Sequence, residues 1–131
     1  MELPEHMKFD KPRKVGDGIG ALLDTPYLGY DHNYVIDKHF GKLGVAAVVK
    51  SEKSGRTMKV TTTAPGVQLY TGNFLFGQEG KSGHKYEKQS ALCLETQWYP
   101  NSANIKHFPP IFIGPGEEFK SFTAIEFGVE K

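Results

Sequence analysis

The segment Leu92-Cys93-Leu94-Glu95-Thr96-Gln97-Trp98 reads as a strand with an acid set into it. Its two-residue period puts Cys93, Glu95 and Gln97 on one face and Leu92, Leu94, Thr96 and Trp98 on the other. A carboxylate on an apolar strand is costly to bury without a partner or a role, so Glu95 is either an exposed acid on a half-solvated sheet or a working group. Two further polar residues sit in similar surroundings: Gln68, within Pro65-Gly66-Val67-Gln68-Leu69-Tyr70-Thr71-Gly72-Asn73, and Asp31, within Gly29-Tyr30-Asp31-His32-Asn33. Recognition of sugar hydroxyls requires carboxylates and amides that accept and donate in a fixed plane, beside an aromatic face that covers the ring's C–H surface. Spacing alone leaves open whether Asp31, Gln68 and Glu95 converge.

Other chemistries are poorly served. His6, His32, His39, His84 and His107 never fall at i, i+3 or i+4, and Cys93 has no neighbouring histidine, so neither a zinc site nor a Cys-His nucleophile is expected. Within Ala91 to Leu94 a cysteine reads as inert packing. The run Gly16-Asp17-Gly18-Ile19-Gly20 follows no strand and precedes no Lys-Ser/Thr pair, which makes it a flexible turn rather than a phosphate loop. With 16 basic and 15 acidic side chains, no charge excess points to nucleic acid, an anionic membrane or an acidic substrate. A single cysteine and a polar start, MELPEHMKFD, suit a reducing, cytoplasmic setting. Leu43 to Val49, the longest near-continuous apolar run, is far shorter than the about 20 residues a spanning helix needs.

The elements that must position these residues are strands. The chain has 131 residues, and 15 glycines and 8 prolines combine with 12% aromatic residues, a mixture of breakers and bulky side chains typical of all-β proteins. One domain is expected over 1–131, with a loop-rich lead-in over 1–28 and strands over 29–131. Over residues 1–30 Pro4, Pro12 and Pro26 with four glycines forbid a helix of useful length, and Asp24-Thr25-Pro26 could open one short turn. Strands are expected at Tyr34 to Asp37, Leu43 to Lys50, Thr57 to Thr63, Val67 to Thr71, Ala91 to Trp98, Ile111 to Ile113 and Ser121 to Val129. Gly77 to Lys88 reads as a long polar loop, and Gly114-Pro115-Gly116 as a turn.

At the level of wording the chain resembles the galactose mutarotases, or aldose 1-epimerases. The likeness is carried by Gly29-Tyr30-Asp31-His32-Asn33-Tyr34, Ser54-Gly55-Arg56, the run Thr62 to Leu75, Cys93-Leu94-Glu95-Thr96-Gln97, Phe108-Pro109-Pro110 and Pro115-Gly116-Glu117. These blocks follow the family's order with similar gaps from about Phe9 to Phe127. Ala64 departs from the glutamine that many members carry before Pro-Gly, which alters a turn side chain and leaves Gln68 in place. The resemblance implies the C-terminal portion of an antiparallel β-sandwich of the galactose-mutarotase type. It also implies Glu95 as the base that takes the anomeric proton, with Asp31 and Gln68 holding sugar hydroxyls.

The family reaction needs an acid histidine as well, and none of the five histidines matches that block, nor do the family's second binding histidine and arginine have counterparts. The implied substrate is a free aldohexose such as galactose or glucose, with no metal or organic cofactor and no nucleic-acid or membrane partner. Self-association, or pairing with a missing N-terminal half, would cover sheet edges that this portion leaves open. A noncatalytic carbohydrate-binding or interaction remnant of the same fold is the alternative. A glycosidase pairing Asp31 with Glu95 would need the carboxylates at about 5–5.5 or 6.5–9.5 Å, and no family wording supports it.

Overall fold

Alternating runs broken by glycine and proline give the described residues eight short strands and almost no helix. The computed structural model describes residues 2–130. Its strands are β1 (Asp31–Val35), β2 (Gly44–Lys50), β3 (Arg56–Thr62), β4 (Gly66–Tyr70), β5 (Phe76–Glu79), β6 (Lys85–Glu87), β7 (Cys93–Gln97) and β8 (Thr123–Val129). The lead-in holds one 3-10 turn at Glu5–Met7 and a short helix, α1 (Gly16–Ile19), that tightens into a 3-10 turn at Gly20–Leu22. Among the described residues no helix is long and apolar enough to cross a membrane.

The described residues form two compact units, one from 2–32 with 69–93 and one from 33–68 with 94–130. The first is organised around Tyr30, which is wholly buried. Its ring packs 5.5 Å from that of Phe9, and its hydroxyl donates to the His6 carbonyl at 2.5 Å. The backbone of Tyr30 is held just as closely. Its N–H donates to Thr71 Oγ1 at 3.1 Å, and its carbonyl accepts from the Thr71 N–H at 3.1 Å and from Asn73 Nδ2 at 2.8 Å. The Thr71 hydroxyl then donates to Asn73 Oδ1 at 2.7 Å, so the buried polar atoms of this cluster are satisfied by one another.

That packing explains α1. A side chain at Gly18 would stand 1.8 Å from the Tyr30 hydroxyl, so this glycine is required by a close approach. The cluster expected to be a flexible turn is therefore a short helix, docked where Tyr30 needs a surface without a Cβ. A second difference lies at Gly77 to Lys88, where β5 and β6 pair antiparallel as a bulged hairpin, Glu79 opposite Lys85 and Gln78 opposite Tyr86. Strands of four and three mostly exposed residues have no apolar alternation to reveal them.

In the second unit β3 is the middle of an antiparallel sheet in the order β2, β3, β8. Val60 and Thr62 are its buried residues, and Lys59 meets Glu126 directly opposite, 3.0 Å away. One extra residue, Ala46, bulges β2 between the Val45–Thr61 and Ala47–Val60 pairs. Residues 33–35, 66–68 and 94–97 belong to a three-stranded sheet in the order β1, β4, β7. Hydroxyls join the two sheets: Thr62 on β3 meets Thr123 on β8 at 2.9 Å, and Thr123 meets Thr96 on β7 at 3.0 Å.

Ile111 to Ile113, expected as a strand, is not one. Pro109 and Pro110 cannot donate to a ladder, the Pro110 carbonyl is taken by the Trp98 indole N–H at 3.1 Å, and the turn at Gly114–Glu117 follows at once. Cys93, read as inert packing, is exposed, because it shares the outward face of β7 with Glu95. β1 begins at Asp31, three residues earlier than expected, which places Asp31 inside a strand.

Candidate functional site

The polar face of the β1, β4, β7 sheet is built on an absence of side chain at Gly66. A Cβ there would meet Asn33 Oδ1 at 2.5 Å, Nδ2 at 3.0 Å and Cγ at 3.1 Å, so the Asn33 amide lies across the bare backbone of the central strand. It reaches Gln97 on the far strand, whose Nε2 donates to Asn33 Oδ1 at 3.1 Å and to Gln68 Oε1 at 2.9 Å. Gly66 and Gln68 are two residues apart on β4, as Glu95 and Gln97 are on β7, and period-two alternation gives each pair a common side. Gln68 and Glu95 therefore share one face of the sheet, with Gln97 beside both. Thr96 points the opposite way, toward Thr123 on β8.

Glu95 is exposed on this face, and Gln68 and Gln97 are half-buried. An exposed carboxylate next to ordered amides can accept a proton from a ligand hydroxyl while the amides fix that ligand's orientation. Asp31 belongs to the first unit. It is half-buried, and its backbone N–H donates to His32 Nδ1 at 3.1 Å. His32 lies edge-on to the Tyr27 ring, with centroids 5.1 Å apart. Burial pushes its pKa below the usual histidine value, Asp31 partly opposing and His6 adding to the effect.

Of the three residues singled out from sequence, the structure sets Gln68 and Glu95 on one face of the second unit and Asp31 in the first unit. Sequence reasoning missed the part played by Asn33, Gly66 and Gln97. The signal for Gln97 was its position two residues from Glu95. Asn33 and Gly66 stood inside quoted blocks, but their contact spans strands far apart in the chain.

The fold has a solved relative: the crystal structure of a GalM/aldose epimerase homologue from C. elegans superposes with a TM-score of 0.82 at 25% identity, covering 96% of this chain and 37% of that one. The class defined by this fold is thus the strand-rich aldose epimerase type, of which the chain is a part. The family model for aldose 1-epimerase matches residues 2–126, and the chain belongs to that family. It is 48% identical over 126 residues to the galactose mutarotase of Mus musculus, which covers 95% of this chain and 36% of that protein. The human galactose mutarotase is 46% identical over 124 residues, and the Escherichia coli aldose 1-epimerase 38% identical over 104. The chain spans about a third of the length of these curated relatives.

Proposed function

We propose that this chain is the base-bearing portion of an aldose 1-epimerase that interconverts the α and β anomers of a free aldohexose such as galactose or glucose. The observation that carries the reading is Glu95 exposed beside the Asn33–Gln97–Gln68 amide chain, in a sequence 48% identical to a galactose mutarotase. Glu95 takes the proton from O1 as a histidine from the rest of the fold protonates O5; the C1–O5 bond breaks and C1=O1 forms. Rotation about C1–C2 turns the other carbonyl face to O5. Reclosure returns both protons with the two groups exchanging roles. Gln68 holds a ring hydroxyl, and Asp31, two residues before Asn33 on β1, holds another. No cofactor takes part in these steps.

The reading places the protein in the cytoplasm. The remaining portion of the fold is supplied by a segment like the one that completes the relatives, or its open edges are covered by self-association. β8 pairs only with β3 among the described residues and leaves Ile125, Phe127 and Val129 exposed. A noncatalytic carbohydrate-binding or interaction module of the same fold is the second reading, in which the Gln68 and Gln97 amides hold a ligand with no proton transfer at Glu95.

Polarimetry on freshly dissolved α-galactose tests both, with the chain alone and with the N-terminal portion of the mouse relative added as a separate polypeptide. The combination is expected to speed mutarotation above the spontaneous rate, and Glu95→Gln to remove about 10²–10⁴-fold of that, the usual worth of one general base. Galactose binding without acceleration would support the second reading. Acceleration unaffected by Glu95→Gln would remove Glu95 from its role.

A further inference from the structure

We infer that Gln97 sets a specificity of this site through its side-chain carbonyl, which accepts from a ligand hydroxyl next to the one that Glu95 meets; this rests on the sugar-binding reading above. Gln97 Nε2 carries two N–H bonds and has two acceptors, Asn33 Oδ1 at 3.1 Å and Gln68 Oε1 at 2.9 Å. The donor end of the amide is thus taken up inside the sheet, on β1 and β4. The acceptor end, Oε1, has no hydrogen-bond partner among the described residues. No buried side-chain nitrogen or oxygen among them is left unpaired, so Oε1 reaches solvent. Its direction is fixed as well. Turned by half a rotation, the amide would set Oε1 against two other oxygens and give up both hydrogen bonds. Asn33 cannot withdraw to relieve that, because its amide already lies against the Gly66 backbone.

Glu95 lies two residues away on the same face of β7, exposed and likewise without a side-chain partner among the described residues. The two Cα atoms stand about 7 Å apart along the strand, so a ligand whose O1 meets Glu95 presents a different hydroxyl to Gln97. Both groups accept, and neither offers a proton while Glu95 is ionised. The pair therefore favours a ligand with two O–H donors along one edge, as a polyol ring such as an aldohexose has, and disfavours an ether, a carbonyl or a fluorine at the second position. Because Oε1 is held before the ligand arrives, binding does not have to order that side chain.

The test uses the full chain, ¹⁵N-labelled and titrated by NMR with galactose and with its analogues that carry fluorine in place of the hydroxyl at C2, C3, C4 or C6. Fluorine cannot donate, so each analogue removes one donor and leaves the ring almost unchanged in size. Gln97→Leu is expected to raise the galactose Kd about tenfold, the upper range for one neutral hydrogen bond. One analogue should bind the parent about tenfold more weakly than galactose does, yet bind Gln97→Leu as well as galactose does, because the hydroxyl it lacks has already lost its acceptor. A Gln97 that only braced Asn33 and Gln68 would instead weaken every sugar by the same factor. Gln97→Met, unbranched and of similar length, repeats the comparison should Gln97→Leu fail to fold. In the free parent the Gln97 side-chain amide protons should exchange with water more slowly than those of exposed Gln78.

Equal losses for every sugar, or variants that bind like the parent, would overturn the role given to Gln97 and leave the sugar-binding reading in place. Gln97 amide protons that exchange as fast as those of Gln78 would do the same, since Oε1 would then have no fixed direction. A parent chain that binds none of these sugars overturns the sugar-binding reading, and the role of Gln97 with it.

Discussion

Gly66→Ala is expected to damage the site first through Asn33. The three atoms nearest the new Cβ, at 2.5, 3.0 and 3.1 Å, all belong to the Asn33 amide. Left in place, that amide is overpacked, at about 1–3 kcal/mol. Pushed aside, it gives up the hydrogen bond from Gln97, at about 0.5–1.5 kcal/mol. Alanine is favoured over glycine within a strand by roughly 0.5–1 kcal/mol, which offsets part of either cost. The protein takes the cheaper course, so the net destabilisation should be no more than about 1 kcal/mol. In an Asn33→Ala background the obstruction is gone, and the same substitution should be neutral or stabilise by up to about 0.5–1 kcal/mol. A double-mutant cycle by urea denaturation, with slopes checked for constancy, should therefore return a coupling energy of about 1 kcal/mol, the cost of displacing the amide. An equal cost of Gly66→Ala in both backgrounds would show that the Asn33 amide does not lie across Gly66.

The roles proposed for the two carboxylates separate kinetically: in the complemented enzyme Asp31→Asn should mainly raise KM, since a group that holds hydroxyls in ground and transition states alike contributes uniform binding, while Glu95→Gln lowers kcat. A fall in kcat alone for Asp31→Asn would reverse that assignment. His32 titrates below its ordinary 6.5 because it is buried, and protonation at Nδ1 would also oppose the Asp31 N–H that now donates to it. The unfolded chain takes up that proton first as the pH falls, so stability is full above about 6.5 and declines on acidification until the folded-state pKa is passed. His32→Phe should flatten this part of a denaturation series, and an NMR titration midpoint at or above the ordinary value would refute the sign. Phe127, 79% exposed on edge strand β8, should drive self-association at micromolar concentration. Light scattering should show Phe127→Lys more monomeric than the parent, and a parent chain already monomeric and monodisperse would count against it.

Local patterns were enough for β2, β3, β4, β7 and β8, because period-two alternation and the glycines and prolines that end it are properties of neighbouring residues. The same alternation put Glu95 and Gln97 on one face of β7. It could not say which face looks outward. That was decided by Thr96, whose hydroxyl meets Thr123 on another sheet, and it left Glu95 and Cys93 exposed together. The order β1, β4, β7 brings Asn33, Gln68 and Gln97 within hydrogen-bond reach across 29 and 64 positions of sequence, contacts that no window of local pattern contains. Gly18 and Gly66 teach the same lesson. As letters one reads as a turn and the other falls between two expected strands; in the fold each is a place where another residue's polar atom occupies the space a Cβ would take, Tyr30 at one and Asn33 at the other.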